Sequence, residues 1–160
     1  MSESDNHDLS LYDNLGFLLG KVSQIKDRLL DQYIANEDIT ATQMKMLYHL
    51  YFVNTNRPSE IGTYLYIDNS AITRMLDRLE KKELIKRIPD PNDRRSILVE
   101  LTQKGKDVTK RTIPFAIHAI DDLTQCLTSD ETQQLQSCLK KIVEHLMPEE
   151  FRLRYTKESE

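Results

Sequence analysis

Between Asp68 and Gly105 the chain changes its periodicity twice within 38 residues, and this constrains the fold more than any other feature. Ala71, Ile72, Met75, Leu76 and Leu79 fall on one helical face, while Ser70, Thr73, Arg74, Asp77, Arg78 and Lys81 occupy the other. Asp68 or Asn69 is placed to cap that helix, because a short side-chain oxygen there accepts from the free amides of the first turn. Leu84 to Ile88 then reads as a strand. The Pro89–Asp93 segment is expected to turn, since two prolines fix φ and lack a donor. Arg94 and Arg95 follow at the tip. Ser96 to Leu101 reads as the return strand, with Ile97, Val99 and Leu101 on one face.

A polar helix face beside a hairpin tipped with arginines suits a duplex. The helix fits a major groove, and the arginines reach phosphates or a narrow minor groove. This makes a winged helix-turn-helix reading. The plainer alternative is a solvated amphipathic helix beside an ordinary hairpin. The net charge of −4 argues against nucleic acid until its distribution is considered. Residues 68–111 hold 12 basic and 8 acidic side chains, whereas the remainder holds 10 basic and 18 acidic ones. A basic segment in an acidic chain is an electrostatic footprint for DNA on one surface.

The flanking segments read as helices. Leu15, Leu18, Val22, Ile25 and Leu29 make a heptad-like seam within a helical pattern from Leu9 to Ile34. Part of that helix reads as a subunit interface, with a long core helix as the alternative. Thr40 and Gln43 form a capping box for a second helix, whose apolar face is Met44, Leu47, Leu50 and Tyr51. Asn54 to Arg57 is a loop, and Pro58 suits the first position of a short helix to Tyr66. There Ile61 and Leu65 face the core, and Gly62 permits a close helix contact. Thr102 caps a long helix to about Cys126, which Pro114 is expected to kink or divide. Thr128 and Glu131 box a final helix to about Met147, with Leu135, Leu139, Ile142, Val143 and Leu146 as its stripe. Residues 1–8 and 149–160 read as flexible tails, from which Phe151, Leu153 and Tyr155 could reach across a dimer.

The organisation expected is thus mainly α with a small β-hairpin wing. Residues 9–34 and 103–147 would form a helical dimerisation region, and 38–102 the winged helix-turn-helix lobe. The acidic, polar N-terminus does not read as a signal peptide, and no apolar run approaches the ~20 residues that span a bilayer. Cys126 and Cys138 lack a CxxC spacing and read as reduced structural residues of a cytoplasmic protein. His7, His49, His118 and His145 are scattered without metal-ligand spacing. No nucleophile elbow, zinc-protease motif or phosphate loop is present, so neither an enzyme nor a cofactor is expected.

At these residues the chain resembles the multiple-antibiotic-resistance regulator (MarR) family of bacterial transcription factors. The matching pieces are ITRMLDRLEKK at 72–82, Asp93-x-Arg95, Val99-x-Leu101-Thr102 and Gly105. KDRLLDQYI at 26–34 and DITATQMKML at 38–47 are also similar, so the resemblance spans roughly residues 12–146. It implies a homodimeric repressor that binds a pseudo-palindromic operator in double-stranded DNA. The candidate DNA contacts are Asn69, Ser70, Thr73, Arg74, Arg78, Asp93, Arg94 and Arg95. The family's response to small phenolic anions implies an aromatic carboxylate effector at Thr73 and Arg87, with Ala71 and Arg78 as a second contact region; the alternative for Arg87 is another wing cation or a salt-bridge partner. Two departures stand out. Lys81 or a neighbour occupies the position of an oxidation-sensitive cysteine in the founding branch, so cysteine oxidation in this helix cannot be the trigger. Glu83 replaces the usual glycine before the wing, which predicts a strained turn there. The rival from another class is a winged-helix module that binds protein and never DNA. A ligand- or metal-buffering protein is a third reading.

Overall fold

Short polar residues punctuate this chain and decide where its helices begin. The computed structural model describes residues 11–53, 55–147 and 149, with the side chain of Arg94 not described. Asn14 caps α1 (Leu15–Tyr33), its side chain accepting from the Phe17 amide. Thr40 and Gln43 close the expected capping box on α2 (Ala41–Tyr48). Pro58 opens α3 (Pro58–Leu65), Asp68 caps α4 (Asn69–Lys81), and Thr102 caps α5 (Gln103–Thr124). Thr128 and Glu131 form the second box, on α6 (Ser129–Leu146). Each cap satisfies amide donors that the first helical turn leaves free.

The helix expected through Tyr51 changes character after α2. His49–Val53 is a π-helical turn, which buries His49 and Val53 and leaves Leu50 and Tyr51 only half-buried. The His49 ring lies 4.8 Å from that of Tyr64, centroid to centroid, so this histidine is a core residue. α5 runs undivided through Pro114. Cys138 on α6 and Cys126 just beyond α5 are both exposed, so neither packs in the core of this chain. Asn54, Pro148, residues 1–10 and 150–160, and with them the expected contacts of Phe151, Leu153 and Tyr155, lie outside the described residues.

One hydrophobic core joins the C-terminal end of α1 to α2, α3, α4, the base of a hairpin and α5. Ile34, Met46, Leu47, Ile61, Ile72, Leu76, Leu79, Ile85 and Val99 are its most enclosed large side chains. Gly62 of α3 lies where a Cβ would come 3.0 Å from the Ile67 carbonyl oxygen and 3.3 Å from Ile72. A side chain there would press on the α3–α4 turn. Tyr66 closes α3 in a left-handed conformation, with φ of 53°.

The hairpin is longer than the sequence pattern suggests. β1 (Ile85–Asp90) pairs antiparallel with β2 (Asp93–Leu101), from Ile85 opposite Leu101 to Pro89 opposite Ile97. Pro89 and Asp90 thus belong to the first strand, and Arg94 and Arg95 to the second. The turn itself is Pro91-Asn92. A proline is tolerated because every strand of a two-stranded sheet is an edge, and the register shifts between Pro89 and Asp90. Glu83, just before the hairpin, has φ of 59°, the strain expected of a residue standing where a glycine fits best.

The terminal helices leave their apolar stripes uncovered. Leu15, Leu18, Val22 and Ile25 of α1 are exposed, as are Ile117 and Ile120 of α5. Of the α1 seam, Leu29 packs partly against the core, whose fully buried α1 member is Leu30. On α6, Leu135, Leu139, Ile142, Val143 and Leu146 are all at least 40% exposed, and no residue of that helix is buried. Among the described residues, no helix is long and apolar enough to cross a membrane.

Candidate nucleic-acid interface

α4 divides cleanly because its apolar residues recur at helical spacing. Ile72, Leu76 and Leu79 are buried, whereas Asn69, Ser70, Thr73, Arg74, Asp77 and Arg78 face solvent. The structure therefore brings five of the residues expected to meet DNA together on one helix face. Its N-terminal turn is tightly organised. Asp68 accepts from the Ser70 hydroxyl at 2.5 Å and from the Ala71 amide at 2.9 Å, and these bonds hold its carboxyl below the ordinary carboxylate range. The Thr73 hydroxyl donates to the Asn69 carbonyl at 2.8 Å. Arg74 and Arg78 are exposed on this face, and the Arg74 charge bears on Asp68 at the cap.

The wing stands at the edge of this surface. Asp93 accepts from the Ser96 hydroxyl at 2.6 Å and from the Arg95 backbone amide at 3.0 Å, which lowers its pKa. Asp93 thus fixes the backbone of Arg95, and the Arg95 side chain remains exposed. The two residues are thus joined through the Arg95 main chain.

Arg87 is placed differently from its neighbours. Its guanidinium lies 2.7 Å from Asp77 and 2.5 Å from Glu80, and its amide donates to Glu80 at 3.2 Å. Partial burial works against the charge, but the two carboxylates outweigh it and raise the pKa above the usual arginine value. The same guanidinium reaches the Thr73 carbonyl at 3.5 Å, so Thr73 and Arg87 do meet where wing and α4 pack together. Sequence reasoning missed the two acidic partners. Their signal is the i, i+3 spacing of Asp77 and Glu80, which sets both on one side of α4. The second contact region lines an open cleft of about 380 Å³, formed by Thr40, Thr42, Gln43, Ala71, Arg74, Met75 and Arg78. No cluster of three or more metal-ligating side chains occurs among the described residues.

A helix-turn-helix of α3 and α4, with an antiparallel hairpin at its edge, defines a winged helix-turn-helix protein. The model of the MarR family matches residues 39–97, from just before α2 into the second strand of the hairpin. The chain is 42% identical over 130 residues to the multiple antibiotic resistance protein MarR of Salmonella typhimurium, covering 81% of this chain and 90% of that protein. The crystal structure of an Escherichia coli MarR cysteine-to-serine variant complexed with operator DNA aligns with a TM-score of 0.75 at 38% identity. That alignment covers 89% of this chain and 99% of the other. The structure of Bordetella bronchiseptica BpsR, whose DNA binding is regulated by 6-hydroxynicotinic acid, aligns with a TM-score of 0.73 at 25% identity. It covers 81% of this chain and 93% of that one. The chain belongs to the MarR family. Further relatives are named HTH-type transcriptional regulators or repressors, and this protein is a regulator of that kind rather than an enzyme.

Proposed function

We propose that this protein is a homodimeric transcriptional repressor that grips a pseudo-palindromic operator and releases it when a small aromatic carboxylate binds. The observation that carries the DNA reading is the joint exposure of the α4 polar face and the wing, in a fold that aligns with an operator-bound relative over most of both chains. Asn69, Ser70, Thr73, Arg74 and Arg78 meet base edges and flanking phosphates, while Arg94 and Arg95 reach the adjacent minor groove. The uncovered stripes of α1, α5 and α6 support assembly through the terminal helices. The site of action is the cytoplasm, where bacterial DNA lies. Selection from a random duplex pool tests the reading. Inverted half-sites centred about 10 bp apart are expected, and asymmetric or unrelated sequences would count against α4 as the reader.

The ligand reading has two contact regions with different physics. At Thr73 and Arg87 a carboxylate must displace Asp77 or Glu80 from a guanidinium that is already satisfied. At the cleft beside Ala71 and Arg78 the guanidinium needs no such displacement, and Met75 supplies apolar cover for a ring. A ligand lowers operator affinity only by preferring the DNA-incompetent state, and tenfold release requires about 1.4 kcal/mol of preference. Operator DNA must then weaken ligand binding by the same factor. Salicylate binding, measured by calorimetry with and without operator, is expected to show that reciprocity. Arg78→Ala is expected to abolish the Ala71-side site, and Arg87→Ala the Thr73-side site. Salicylate binding that ignores operator would remove the sensor reading and leave the DNA reading intact.

A further inference from the structure

The distal half of the wing has no apolar anchor. Ile85 and Val99 are buried at its base, but beyond the Arg87–Val99 pair Pro89 and Ile97 are exposed and Ile88 and Leu98 are only half-buried. Packing therefore does not locate the tip. The buried side chain at the tip is a carboxylate, that of Asp90, which is 1% exposed. Its Oδ1 accepts from the Asn92 amide at 2.8 Å and shapes the turn. Its Oδ2 meets the Arg57 guanidinium at 2.6 Å. Arg57 is the cap residue of α3, and the adjacent Asn56 carbonyl accepts from the Val99 amide at 2.8 Å. The Arg57 charge also bears on Asp93, across the turn from Asp90.

We propose that the Arg57–Asp90 pair is a latch that positions the wing against α3, and so sets where Arg94 and Arg95 meet the DNA relative to α4. Both are positioning residues. The inference rests on the reading that the wing contacts DNA. A buried carboxylate that loses its cation is left uncompensated, so either half of the pair should matter as much as the whole.

The test uses the full-length protein and the duplex recovered by selection, with Arg57→Gln, Asp90→Asn, their combination and Arg57→Lys. Asp90→Asn keeps an oxygen for the Asn92 amide and replaces the oxygen that accepts from Arg57 with an amide donor. Each single variant is expected to bind about tenfold more weakly, on the scale of one lost wing contact. Hydroxyl-radical protection should fade at the flanking minor grooves, while guanine N7 protection in the half-site major grooves persists. The double variant should be no weaker than either single one, and Arg57→Lys should restore most of the loss. In the free protein, amide exchange at Asn92 and Arg95 should rise while that of α4 is unchanged.

Wild-type affinity and full flank protection in Asp90→Asn would overturn the latch. So would a loss confined to Arg57→Gln with a salt slope reduced by about one, because that marks a direct phosphate contact. Equal loss of protection at flank and centre marks general unfolding and also overturns it. Wild-type protein that protects no duplex would instead sink the DNA reading, and the latch with it.

Discussion

Replacing Leu139 and Ile142 together with aspartate is expected to convert the protein from dimer to monomer and to cut operator affinity by about 10²–10⁴-fold. These side chains are 40% and 46% exposed on a helix that buries nothing within its own chain. Contiguous apolar surface of this kind is sustained by a partner, and a helical dimer interface typically buries more than ~2,000 Å² in total. Two carboxylates in its centre would be desolvated without partners. The affinity loss follows because the second half-site is reached at high effective concentration only while the subunits are linked. The far-ultraviolet circular dichroism should be unchanged, as the core of α1–α5 is untouched. Sedimentation at micromolar concentration is the check, and a wild-type protein that sediments as a monomer removes the dimer reading.

Gly105→Ala is expected to cost about 2–3 kcal/mol or more, at the upper end of what overpacking does to a protein core. A Cβ on Gly105 would stand 2.0 Å from the Leu84 carbonyl oxygen and 2.9 Å from its carbon. These are backbone atoms at the wing's base, and no rotamer change relieves them. α5 must therefore move away from Leu84. That motion strains the Thr102 amide bond to Leu84 at 3.1 Å and the Thr102 hydroxyl bond to Glu83 at 2.6 Å. For a chain of this length the melting temperature should fall by roughly 6 °C or more. An unchanged melting temperature would mean that the close approach of α5 to the wing is wrong.

Much of this fold was legible because the decisive signals are local. Thr40, Asp68, Thr102 and Thr128 each cap the helix that follows them, since a cap needs only its own first turn. The division of α4 was legible for the same reason, as was the strain at Glu83. The wing boundaries were not. Pro89 reads as a breaker in sequence, yet an edge strand tolerates it. The π turn at His49–Val53 keeps an apolar pattern that a 3.6-residue period also fits. In the candidate site, the exposed residues of α4 were readable from periodicity. The partners of Arg87 and the burial of Asp90 were not, because ion pairs between α4 and β1, or between α3 and the wing tip, exist only after the chain has folded. The sequence leaves Arg87 open as a ligand anchor, a wing cation or a salt-bridge partner, whereas the fold sets it between two carboxylates.

The central claim is that α4 and the wing form one DNA-reading surface, repeated by two-fold symmetry. Its most direct test is a salt-titrated hydroxyl-radical footprint of the selected duplex with wild type and Arg95→Ala. Two protected half-sites about 10 bp apart are expected, with minor-groove protection flanking each. Arg95→Ala should lose the flanking protection, keep the centre, and lower the log–log salt slope by about one for each contact removed. An Arg95→Ala footprint and salt slope identical to those of the wild type would contradict the account, since an exposed wing arginine would then play no part in binding.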